Sequence, residues 1–119
     1  TAASSLTALL QVPLGFISEN LHACFLMESL TREAVKTANT ECLNCFIEDE
    51  VINDIKAVLN NAKEGYTSIY SDLKNGNYAE VDTISGYVLE VAQNNGIPAP
   101  FHQFVVSMIH ALEDKAHGK

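Results

Sequence analysis

Basic residues are scarce in this chain. Lys and Arg together number 7 against 15 Asp and Glu, for a formal net charge of −8. Those few cations are scattered along the sequence. Nucleic acid is therefore not expected as a partner, because phosphate binding needs clustered Lys and Arg. Long apolar runs are also lacking: none approaches the roughly 18 to 20 residues of a membrane span, and no charged-then-apolar signal segment opens the chain. No membrane association is expected. With only 3 cysteines a complete disulfide framework cannot form, so a reducing cytoplasm is the expected location. Missing too are any internal repeat, any low-complexity tract and any convincing period-two alternation of a half-buried strand. The chain has no initiator Met, and its opening "TAASSLTALL" is already helical in rhythm. It reads as a piece of a longer protein.

What the sequence does contain points to helices. Its 119 residues fit one domain, spanning 1–119, and 47% apolar residues with 18% charged suffice for a packed core without staples. Leu6, Leu9 and Leu10 recur at helical spacing before "VPLG" interrupts at Pro13 and Gly15. "SENLHACFLMESLTREAVKTAN" follows, with Ser18 as a candidate N-cap and Glu19 as a favourable first-turn acid. The signal weakens around Thr40 to Phe46. Next, "DEVINDIKAVLNNAKEG" aligns Ile52, Ile55, Val58, Leu59 and Ala62 on one face. Gly65 allows a bend, and "YTSIYSDLKNGN" is a short helix closed by the Asn75-Gly76 turn. Val81, Ile84, Val88 and Val91 form the stripe of the next helix, which Gly96 stops and Pro98 and Pro100 keep from continuing. Phe101, Phe104, Val105, Met108 and Leu112 supply the last apolar face, read as core. The expected fold class is all-α.

Candidate chemistry competes with plainer explanations. Cys42 and Cys45 form a Cys-x-x-Cys, with His22 and Cys24 upstream. Residues two apart on a helix point about 200° apart, so His22 and Cys24 chelate poorly together. A redox motif of thioredoxin type would want a βαβ setting, which is absent. No metal is expected, and the cysteines read as buried or incidental thiols. His102 and His110 lie eight apart with no carboxylate between them to support them, and His117 sits near the end. All read as surface or core-edge histidines. Glu80 has two explanations. With Asn77 three residues earlier it makes an Asn-x-x-Glu capping box, and Asp82 also suits a positive helix end. The other explanation is a substrate site.

The second explanation rests on the pattern around it. "TSIYSDLKNGNYAEVDTISGYVLEVAQNNGIPAP" resembles the C-terminal domain of the ketopantoate reductase family, the NADPH-dependent 2-dehydropantoate 2-reductases. Ser68 and Asp72, then Glu80-x-Asp82, Gly86, and the Gly96-Ile97-x-x-Pro100 connection carry the likeness. The opening "SSLTALLQVPLG" is similar to the family's Leu-Thr-Ala-Leu run before Pro-x-Gly.

That resemblance implies a multi-helix domain of the 6-phosphogluconate dehydrogenase C-terminal-like type. It implies a two-domain enzyme whose N-terminal Rossmann domain, with the NADPH-binding loop, is not in this sequence. The family's catalytic lysine would fall a few residues before Thr1, so no catalytic residue is expected here. The implied substrate is 2-dehydropantoate or a related 2-oxo acid, and the implied assembly is a homodimer. Among site residues, Glu80 would accept a hydrogen bond from a substrate hydroxyl, and Ser68 would help hold the substrate carboxylate. Ser4 stands where the family commonly has a substrate-contacting Asn, and Leu14 where it has another. The competing expectation is a non-catalytic helical interaction or dimerisation module in which Glu80 is only a cap.

Overall fold

The computed structural model describes residues 2–41, 45–76 and 81–118. Among them are seven helices and no strand: α1 (Ala2–Leu10), α2 (Leu14–Glu19), α3 (Leu21–Glu41), α4 (Glu48–Asn61), α5 (Ser68–Lys74), α6 (Val81–Asn94) and α7 (Pro100–Ala116). The all-α expectation holds. Two readings fall outside the described residues: the Asn77 to Glu80 capping box, and Cys42. The side chains of Ser68, Val81, Asp82 and Ile84, and the surroundings of Gly86, do as well.

The first helix is the spine of the fold. Of its leucines at helical spacing, Leu6 is buried, Leu9 half-buried and Leu10 exposed. The small residues Ala3, Ser5, Thr7 and Ala8 are buried with Leu6 instead. Side chains this short let α5, α3, α2 and α7 approach α1 from several sides. Helix α1 ends at Gln11, a non-glycine residue at φ 55°. The Val12 N–H reaches back to the Thr7 carbonyl at 3.2 Å, and the Gln11 side-chain amide donates to the Ala8 carbonyl at 2.7 Å. This is the reverse turn that usually takes glycine.

The interruption read at Pro13 and Gly15 lies earlier than expected. Pro13 precedes α2, and Gly15 is within it. The Leu14 and Gly15 N–H groups donate to the Gly65 and Lys63 carbonyls, both at 2.9 Å, so the turn after α4 caps α2. A Cβ on Gly15 would stand 2.9 Å from both the Cβ and the carbonyl oxygen of Lys63. Glycine is needed here for close approach, not for helix breaking.

Ser18 does not open the long helix. It lies in α2 and its hydroxyl donates to the Gly15 carbonyl at 3.0 Å. Asn20 opens α3, accepting the Ala23 N–H at 3.0 Å on its side-chain oxygen. Ile17, Met27, Leu30, Leu59 and Ile109 then form the centre of the core, drawn from α2, α3, α4 and α7.

Helix α6 stops as its sequence suggests. Gly96 takes φ +69°, and the Ile97 N–H bonds the Ala92 carbonyl at 2.8 Å. Helix α7, however, turns a different face inward than the aromatic stripe implied. His102, Val105, Val106, Ile109 and Glu113 are buried, whereas Phe104 is 65% and Met108 41% exposed. Along α4, Ile52 and Leu59 are buried, while Val58 and Ala62 are exposed.

Candidate functional site

Helix α1 packs along α5, and a chain of hydroxyls joins them. Thr67 caps α5, its oxygen accepting the Tyr70 N–H at 3.2 Å. The Thr7 hydroxyl, fully buried, donates to the Ser4 carbonyl at 2.8 Å and lies 3.0 Å from the Thr67 hydroxyl. A hydroxyl has one hydrogen to give. Thr7 gives its own to Ser4, so Thr67 must donate to Thr7. The order is thus Tyr70 N–H to Thr67 to Thr7 to the Ser4 carbonyl. It locks the turn of α1 that carries Ser4 against the start of α5, which is Ser68.

Beside this lock is a cleft of about 370 Å³, lined by Ser4 and Thr67 and walled by Leu14 and the Val51, Ile55 and Val58 face of α4. Its volume sits at the low end for small-molecule sites. Among its described lining residues only Asp54 is charged, and it is exposed. Of the residues singled out from the sequence, Ser4 and Leu14 therefore share one cleft. Ser68 begins the helix immediately after Thr67, which lines it. Glu80 lies outside the described residues.

The α4 wall is fixed by ion pairs to α3. Arg32 meets Glu48 and Asp49, each at 3.3 Å, and Lys56 meets Glu28 at 2.7 Å. The Lys56 hydrogen bond holds the Glu28 carboxyl below its ordinary range against a smaller opposing effect of burial. The same bond raises the Lys56 ammonium above the usual lysine value.

A second polar cluster was not anticipated. Glu33 of α3 caps the start of α7 from another helix: one carboxylate oxygen accepts the Phe101 N–H at 2.8 Å, and the other the His102 N–H at 2.9 Å. That second oxygen is also 2.7 Å from His102 Nδ1. His102 is 2% exposed and Glu33 8%, so the core-edge reading of His102 is corrected. Its supporting carboxylate comes from 69 residues away. The signal available in sequence was Glu33 itself, an acid in the buried phase of α3 between Leu30 and Thr37. His110 pairs with Glu113 at 2.9 Å one turn along α7.

Among the cysteines, Cys24 is a half-buried free thiol whose sulfur lies 3.8 Å from a Glu28 oxygen, and His22 is exposed. Cys45 is exposed and disulfide-bonded, which corrects its reading as a thiol. No group of three His, Cys, Asp or Glu among the described residues could hold a metal ion. No described helix is long and apolar enough to cross a membrane.

Comparison with known proteins supplies the family. The 2-dehydropantoate 2-reductase of Bacillus subtilis (strain 168) is 32% identical over 108 residues, covering 91% of this chain and 35% of that protein. Its counterpart in Aquifex aeolicus (strain VF5) is 27% identical over 118 residues, covering 95% of this chain and 37% of that protein. This chain thus spans little more than a third of the length of either. A D-mandelate dehydrogenase solved with NADH and anilino(oxo)acetate shares the fold, with a TM-score of 0.89 at 24% identity over 98% of this chain and 48% of that one. Residues 1–113 match the family described as "Ketopantoate reductase PanE/ApbA C terminal", and the chain belongs to that family of C-terminal domains.

Proposed function

We propose that residues 1–119 form the single helical, substrate-binding unit of a longer ketopantoate reductase-like oxidoreductase. The whole protein reduces 2-dehydropantoate, or a related 2-oxo acid, with NADPH. Family membership supports this reading, and so does the small share of each full-length relative that the chain spans. Under this reading a Rossmann domain of the longer protein binds the nucleotide, and a lysine outside residues 1–119 donates the proton.

This chain holds and orients the substrate. Ser68 and Ser4 donate hydroxyl hydrogens to the oxygens of the 2-oxo acid, and Glu80 accepts from a substrate hydroxyl or from the lysine. The observation that carries the reading is the threonine chain. It fixes the turn bearing Ser4 against the start of α5 beside a cleft of suitable size. Neutral donors suit a carboxylate there because they need no buried charge. The test is NADPH oxidation by the full-length protein with 2-dehydropantoate and other 2-oxo acids. Turnover of at least one is expected, and turnover of none refutes the proposal.

A second property is supported by a specific observation. Leu10, Phe25, Phe104 and Met108 are all exposed, and a groove of about 200 Å³ runs between Leu9, Leu26 and Phe104. Contiguous exposed apolar surface of this kind marks an interface, and we assign it to a homodimer. Sedimentation of the full-length protein showing only monomer at high concentration contradicts that assignment. Dimerisation without any turnover would favour the rival reading, a non-catalytic interaction module.

A further inference from the structure

We infer that Thr7 is a positioning residue: its hydroxyl, acting through Thr67, sets the spacing between the Ser4 turn of α1 and the start of α5 on which substrate binding depends. The inference rests on the oxidoreductase reading above.

Thr7 is fully buried, so it touches no ligand itself. Its hydroxyl is used twice. It donates to the Ser4 carbonyl at 2.8 Å, one turn back along α1, and accepts from Thr67 at 3.0 Å across the helix–helix contact. Thr67 in turn holds the Tyr70 N–H at 3.2 Å, within the first turn of α5. Each threonine therefore ties the backbone of its own helix to a side chain of the other. A second link lies one turn further along α1, where the Gln11 amide donates to the Tyr70 carbonyl at 3.4 Å. Thr7 meets Thr67 and Gln11 meets Tyr70, so the two helices run side by side in the same direction. Their starting ends lie together, and the cleft lined by Ser4 and Thr67 opens there.

Packing alone does not call for these hydroxyls. Two apolar groups of the same shape would join the helices with little or no loss of stability. What a hydroxyl pair adds is direction, because a hydrogen bond weakens steeply as its angle departs from linear. The turn that bears Ser4 can then neither slide along α5 nor rotate away from it without breaking the Thr7–Thr67 bond. Groups that orient a substrate must be held closely, since a misplacement of about 1 Å can cost about a hundredfold in rate. Loss of the tether is therefore expected to lower kcat/KM about ten- to a hundredfold.

The test is steady-state kinetics of the full-length protein, with NADPH and the 2-oxo acid it reduces best. Thr7→Val keeps the shape of the side chain and removes the hydroxyl; Thr7→Ser keeps the hydroxyl and removes the methyl. Thr7→Val should lower kcat/KM for the 2-oxo acid about ten- to a hundredfold and leave the KM for NADPH unchanged. Thr7→Ser should restore most of that loss. A purely structural role predicts another pattern: both variants melt earlier, yet each folded enzyme keeps wild-type kcat and KM. Wild-type kcat/KM in folded Thr7→Val overturns the inference, and so does an equal loss in Thr7→Ser. Should Thr7→Val not fold, Thr67→Ala removes the same bond from the half-buried side, with Thr67→Ser as its rescue. A folded Thr67→Ala at wild-type kcat/KM overturns the inference equally. If the wild type reduces no 2-oxo acid, the oxidoreductase reading itself fails and the inference with it. Turnover by the wild type with insensitive variants overturns the positioning role alone.

Discussion

Replacing Glu33 should damage the fold more than its position on a long, partly exposed helix suggests. The carboxylate makes three contacts: to the Phe101 N–H at 2.8 Å, to the His102 N–H at 2.9 Å and to His102 Nδ1 at 2.7 Å. Glu33→Ala removes all of them and leaves the first turn of α7 with two orphan donors beside a buried ring. Hydrogen bonds to charged groups contribute about 1.5–3 kcal/mol each, and an unsatisfied buried donor costs about 1–3 kcal/mol. These figures overlap rather than add, so a loss of about 2–4 kcal/mol in all is expected. Glu33→Gln keeps one acceptor oxygen, so it should lose about half as much. In urea titration the alanine variant should unfold on the order of 1 M or more below wild type, with an unchanged slope and the glutamine variant between the two. A loss below about 1 kcal/mol for Glu33→Ala would refute the claim that this carboxylate holds α7 in place.

Gly15→Ala should destabilise by about 1–3 kcal/mol, because the added methyl meets the Lys63 backbone; wild-type stability in thermal melts would show that the 62–65 turn yields freely. The Glu28–Lys56 pair should contribute only about 0.2–1 kcal/mol, since both side chains are about a third exposed. Its pH dependence has a definite sign. Glu28 is depressed, so its contribution is present above the unfolded carboxylate pKa and fades as pH falls through the folded value. Lys56 is raised, so its contribution is present below the unfolded lysine pKa and fades as pH rises through the folded value. The stability difference between wild type and Lys56→Met should therefore be flat near neutrality and shrink at both extremes; a difference that grows in acid contradicts the pairing.

The helical class was legible because period and punctuation agree locally. Gly96, Pro98 and Pro100 act on their own neighbours, and the α6 stop follows from them alone. Errors arose where distant chain segments decide. Gly15 looks like a helix breaker in sequence, but its reason is Lys63, brought close by the turn after α4. Phe104 and Met108 have the composition of core residues, yet Glu33 docks the start of α7 in a rotation that buries His102 and leaves both exposed. Ser18 and Asn20 are equally good caps by residue type, and only the chain direction after α2 selects Asn20. Of the candidate site, Ser4 and Leu14 prove to share a cleft, which no spacing rule could have foretold. The threonine chain joins residues 60 apart and left no mark in the local sequence.

The central claim is that this domain positions a substrate, with Glu80 taking part directly. It is tested most directly by measuring kcat/KM of the full-length protein, with Glu80→Ala set against Asn77→Ala. Loss of a helix cap costs about 0.5–2 kcal/mol of stability and leaves turnover alone. Loss of a charged hydrogen bond to substrate in a closed site costs about 2–4 kcal/mol in the transition state, roughly 30- to 1000-fold in kcat/KM. The account predicts that Glu80→Ala lowers kcat/KM by that much with NADPH affinity nearly unchanged, while Asn77→Ala stays within a few-fold of wild type. Equal, modest losses of stability with full activity in both variants would contradict it and leave Glu80 as a helix cap.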